Sequence, residues 1–150
     1  MLGRTHLAIG LLTASVIEPY MFVMNKSIYY LLVGIGSILP DIDHKGSTIN
    51  RILPLTHYAA NWITHRGIFH TIFMPILFWL ILWNLTLHFY GWWLLIGYLT
   101  HLVADSFTKL GVNWLYPLSK QKLCGFMETG TWIETVLFLS ICILFFIYWL

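Results

Sequence analysis

Apolar residues run along this chain in long unbroken blocks, and charge is confined to a few positions between them. No Asp, Glu, Lys or Arg occurs from Gly67 to Ala104, a stretch long enough for two membrane spans of about 20 residues each. The pattern predicts helices over 71–90 and 92–107, folded back at Tyr90-Gly91. A third block, 132–150, is charged only at Glu134 near its start. Before these, 7–24 is apolar except for Glu18, and 27–40 is uncharged but short. They are expected to form a hairpin of tilted or partly inserted helices. The expected fold is therefore all-α: a multi-pass transmembrane bundle of about five helices.

Composition agrees with that pattern. Of 150 residues, 59% are hydrophobic and 9% charged, with a mean hydropathy of +0.77, where soluble domains run about 45–50% apolar and 25% charged. So short a chain cannot bury that much apolar surface in its own core, which leaves lipid as solvent. With no polar linker and no internal repeat, one domain over 1–150 is expected. Many of the eight Trp lie near predicted helix ends, as rings at headgroup level do. A net charge of +2 speaks against a nucleic-acid partner. Cys124 and Cys142 have no metal or redox spacing. Arg4 and His6 followed by Glu18-Pro19 do not make a secretory signal.

Five crossings would put the N-terminus and the loops 41–70 and 106–131 on one side. That side would hold Arg4, Lys45, Arg51, Arg66, Lys109, Lys120 and Lys122, leaving Lys26 alone opposite. The bias predicts that this side is the cytoplasmic face of the plasma (inner) membrane. On the same side fall His6, Asp41, Asp43, His65, His70, His101, Asp105 and Glu134.

Ionisable groups at membrane depth are costly and mark function by default. Mixed His and carboxylate sets suit zinc, manganese or iron. Singly, each piece has a bland explanation: His101 and Asp105 are one helical turn apart and could simply bond each other, and Asp41-Ile42-Asp43 could be a solvated turn. Gathered on one face, the eight point to a metal site, and they exceed what one tetrahedral ion needs. Two zinc ions bridged by a carboxylate are expected, with manganese or iron as alternatives. His57 and His88 fall outside the pattern, and His44 is ambiguous.

At these residues the sequence resembles the YdjM-like (LexA-regulated) inner-membrane proteins, regarded as metal-dependent hydrolases. The matching segments are Thr5-His6-Leu7, 39–44 with Pro40-Asp41-Ile42-Asp43, and His65-Arg66-Gly67-Ile68-Phe69-His70. They continue through 97–105 with His101 and Asp105, then Thr108, Gly111-Val112, Tyr116-Pro117, Gly130 and Glu134. More loosely, the order of His and Asp is similar to zinc-dependent phospholipase C and P1-type nucleases, all-α enzymes that cleave phosphoesters at a metal cluster.

The expected activity is hydrolysis of a phosphoester, that of a membrane lipid, by metal-activated water. One of Asp41 and Asp43 would hold metal while the other accepts the water's proton. Arg66 would grip phosphate oxygens with its fork of donors, and Lys45 would add a second cation. An acyl ester or amide hydrolase fits the same cluster, since such a site polarises carbonyls too. A metal or proton transporter should carry polar groups at mid-membrane and on both faces, yet the opposite side offers only Lys26, His88 and Asn84. The oligomeric state is not legible.

Overall fold

The computed structural model describes residues 1–43 and 67–150. Among them are five α-helices: α1 (Gly3–Ile17), α2 (Lys26–Ile38), α3 (Phe73–Asn84), α4 (His88–Ser106) and α5 (Trp132–Tyr148). Short 3₁₀ turns occupy Glu18–Tyr20, Leu39–Asp43 and Ile68–His70. α1 stops where Glu18-Pro19 forces a tighter turn, because proline cannot donate the next helical hydrogen bond. α2 restarts at the Asn25 cap, whose side chain accepts from the Ile28 amide at 3.1 Å.

Among the described residues the all-α expectation and the five helices hold; the transmembrane bundle does not. The helices have 15, 13, 12, 19 and 17 residues, and among the described residues none is long and apolar enough to cross a membrane. The stretch expected to run over 71–90 ends at Asn84 and turns through Leu85–Leu87, with Thr86 at φ 61°. Gly91, taken as the fold-back, lies inside α4. α4 has nearly the length for a span, but His88, Gly97, Thr100, His101 and Asp105 lower its hydropathy. The side-by-side ordering of basic loops rested on crossings and loses its footing with them.

α4 is the central element, packed on α2, α3 and α1, while α5 lies against α1. The α2–α4 crossing is a backbone contact: a Cβ on Gly97 would sit 2.1 Å from the Val33 carbonyl oxygen, and one on Gly36 2.4 Å from that of Leu94. Only glycine permits this approach. Two small apolar clusters flank the crossing. Ala14, Tyr29, Val33 and Trp93 form one, with the Tyr29 hydroxyl donating to the Ala14 carbonyl at 2.9 Å. Tyr98, Leu102 and Val112 form the other.

Polarity is distributed inside out. The buried residues include His6, Ser37, His70, Thr71, His101, Asp105 and Glu134, whereas the large side chains of α3 and α5, such as Leu77, Ile81, Leu139, Ile143 and Phe146, stay exposed. A contiguous apolar exterior of this kind needs lipid or a partner against it. The segment between α4 and α5 is tied down by paired amide bonds between Val112 and Leu123 and by the Lys109 amide on the Met127 carbonyl at 2.8 Å.

Candidate metal centre

Four separate elements deliver five of the expected ligands to one place. α1 brings His6, the turn after α2 brings Asp41, the turn before α3 brings His70, and α4 brings His101 and Asp105. The α4 pair shares a face because it is spaced by four residues. His6, His70, His101 and Asp105 are fully buried, and the Asp41 side chain keeps 14% of its surface open.

The donor atoms converge. His70 Nε2 and His101 Nε2 are 3.3 Å apart. Asp41 Oδ1 lies 3.9 Å from the first and 3.7 Å from the second, and Asp105 Oδ2 lies 3.8 and 3.9 Å away. A tetrahedral ion with bonds of about 2.1 Å spaces its ligands about 3.4 Å apart, so the two imidazole nitrogens lie near that spacing from one another and from each carboxylate. The other Asp105 oxygen, Oδ1, faces away toward His6 Nε2 at 3.2 Å and accepts from the Met1 amine. His6 stacks on His101 with centroids 3.7 Å apart. Neither His6 ring nitrogen makes a hydrogen bond, since the Asp105 contact is close but badly aligned. A buried imidazole with both nitrogens unbonded is costly unless something else takes a lone pair.

The surroundings prepare these groups. His101 Nδ1 donates to the Ser37 carbonyl at 2.8 Å, which fixes the tautomer and turns the Nε2 lone pair into the cluster. The Gly36–Gly97 crossing brings that carbonyl within reach. Burial, reinforced by the charge of His6, holds His101 well below the usual histidine range, so it is a neutral imidazole ready to ligate. Burial would raise Asp105, but contact with His6 and the positive N-terminal amine outweigh it and keep the carboxyl ionised far down the scale. Asp41 is raised, chiefly by burial, with the charges of His6 and His70 opposing. The Tyr98 hydroxyl donates to the Phe69 carbonyl at 2.6 Å and steadies the turn that carries His70.

Glu134 occupies a different place. Its two oxygens accept from the amides of Leu2 and Gly130, each at 2.6 Å. Burial alone would raise its carboxyl; the Gly130 and Leu2 donors reverse that. It ties the start of α1, and hence His6, to the start of α5, and it belongs to neither group of converging donors. Asp43 ends the turn that carries Asp41. His65, Arg66 and Lys45 lie outside the described residues, as do His44 and His57. At the opposite end of the bundle Lys26 pairs with Glu18 at 2.7 Å, and the His88 ring lies tilted against those of Trp83 and Phe89. Sequence patterns did not single out Ser37, and Gly97 and Tyr98 entered only as part of the family-like segment 97–105, with no role attached. The small residues Gly36 and Ser37 on α2 facing Gly97 were the available sign of a tight crossing.

Fold and site together define an all-helical protein with an apolar exterior and a buried cluster of histidines and aspartates that could hold a metal ion. The model of the YdjM inner membrane protein family matches residues 1–150, and the chain belongs to that family of membrane-associated proteins, as the Pro-Asp-Ile-Asp and His-Arg-Gly segments led one to expect. It is 28% identical over 137 residues to the uncharacterized protein YvsG of Bacillus subtilis (strain 168), an overlap covering 89% of this chain and 85% of YvsG. No solved structure matches.

Proposed function

We propose that this protein is a metal-dependent hydrolase working at the inner membrane, with a lipid phosphoester as substrate. The observation that carries the proposal is the convergence of His70 Nε2, His101 Nε2, Asp41 Oδ1 and Asp105 Oδ2, with neighbouring atoms 3.3–3.9 Å apart. These four would hold a first zinc, manganese or iron ion. His101 has one nitrogen committed to Ser37, so it can serve only one ion. A second ion would be held by His6, whose ring nitrogens make no hydrogen bond, together with the adjacent Asp105 Oδ1. Asp43 and His65 are the further candidates.

A divalent ion supplies Lewis acidity at a phosphoryl oxygen and acidifies bound water. The chain's own residues do the rest. Asp41 is the member of the cluster on its open side, placed to take up the proton that water releases. The burial of His70, His101 and Asp105 excludes bulk solvent, so charges there act at full strength. Arg66 is proposed to grip two phosphate oxygens, with Lys45 as a second cation. Arg4, Lys109, Lys120 and Lys122 belong to the same end of the bundle as the cluster by their places in the chain. That suits an anionic membrane surface.

The test is turnover of phosphatidic acid and phosphatidylglycerol vesicles by purified protein, with and without chelator. Release of phosphate or glycerol phosphate that stops on chelation and returns with zinc is expected. Release of fatty acid instead would favour the acyl-ester alternative.

A further inference from the structure

We infer that the cavity between α1, α4 and α5 holds one acyl chain of a membrane lipid, its tail pointing away from the His/Asp cluster. This rests on the proposed function only for what sits at the chain's head. The cavity measures about 620 Å³ and its walls are almost wholly apolar, formed by Ile9, Thr13, Ile96, Leu99, Val103 and Ile141. Pockets of this size enclose most of a small organic ligand.

Its direction follows from helix geometry. The lining residues of α4 recur from Ile96 through Leu99 and Val103 to Phe107, one stripe about 16 Å long at 1.5 Å per residue. The cluster residues His101 and Asp105 occupy the adjoining stripe, and Ala104, which lines the cavity, precedes Asp105 directly. Met1 lines the same end, and its amine bonds Asp105. On α1, the wall runs from Ile9 to Ile17, starting just after His6. The cavity therefore begins level with the cluster and extends along the helix axes away from it, with the His/Asp cluster at one end only.

Its opening identifies the source of the occupant. Val103 and Phe107, which line it, are also 46% and 53% exposed, on the apolar exterior of the bundle. In an inner-membrane family that exterior meets lipid, so a chain can enter sideways without crossing water. A soluble phosphoester has no apolar part to fill this space, and leaving it empty forfeits contacts on every wall.

The test is photocrosslinking in vesicles of phosphatidylglycerol carrying a diazirine either beside the glycerol ester or at the chain terminus, mapped by peptide mass spectrometry. Metal is removed by chelation, so that no turnover is required. Ester-end probe should mark Met1, Ala104 and Phe107, and terminal probe should mark Thr13, Ile17 and Ile96. Leu99→Trp, which fills the cavity, should lose these marks and keep those on the outer faces of α3 and α5. Thr13→Leu should do the same if the larger residue misfolds. Marks that ignore probe position, or survive both variants, would show bulk lipid solvation and overturn the proposal. That outcome alongside chelator-sensitive hydrolysis would leave the metal reading standing, whereas ordered marks in a protein that hydrolyses nothing would support the chain site and remove the hydrolase.

Discussion

His101 is the residue on which most of the site converges: one nitrogen is held by the Ser37 carbonyl, the other faces His70, and the ring face is covered by His6. Removing it takes away a ligand and the surface against which His6 is ordered. His101→Ala or Asp105→Asn should therefore reduce bound metal and turnover by orders of magnitude, read by elemental analysis and lipid assay. His88→Ala, at the far end among Trp83 and Phe89, should change neither. A residue of another kind shows in the pH dependence of stability. Burial, with smaller contributions from Tyr30 and Glu18, pushes the Tyr29 hydroxyl up from 10.0 to about 12. The folded state thus holds a proton that the unfolded chain releases, so stability is intact below pH 10 and falls as pH rises toward 12. Tyr29→Phe should flatten that decline in thermal unfolding curves, while costing about 1 kcal/mol at neutral pH for the lost bond to Ala14. The five converging side chains were legible in the sequence as His and Asp placed beside apolar blocks. Glu134 shared that signature, yet it binds backbone amides, because a carboxylate at a helix start serves a cap and a metal equally well.

At the scale of elements, the site depends on how closely α2 and α4 cross. Gly97→Ala would drive a methyl into the Val33 carbonyl, and the helices must part to accept it. A loss of roughly 1–3 kcal/mol is expected from such overpacking, measured by thermal unfolding. Metal affinity should weaken with it, because Ser37 would no longer reach His101. Unchanged metal affinity in a destabilised Gly97→Ala protein would separate the crossing from the site. Hydrophobic blocks predicted the helices' existence and order but not their ends. The block 71–90 reads as one apolar run, and nothing in hydropathy marks the Leu85–Leu87 turn, which local backbone bonds set: the Leu87 amide reaches the Leu82 carbonyl at 2.8 Å. Glu18-Pro19, by contrast, ended α1 visibly, since proline's missing donor acts locally.

At the scale of the whole molecule, short helices enclose a polar interior and turn apolar side chains outward. The composition pointed correctly to a membrane protein and incorrectly to spans, because mean hydropathy counts apolar residues without reporting how long each helix runs before it turns. The function proposed for this arrangement makes a demand on Arg66. If it grips phosphate in a fork, Arg66→Lys should keep metal and fold but lose about 10- to 150-fold in turnover of a phosphorylated lipid, the equivalent of roughly 1.5–3 kcal/mol. Full activity would point to a side chain that merely reaches for the headgroups. The most direct measurement is metal content against activity in the same purified sample. At least one equivalent of zinc, manganese or iron per chain is expected, falling with turnover in parallel on chelation and in His101→Ala. Protein that hydrolyses lipid at full rate with metal far below one equivalent would contradict the account.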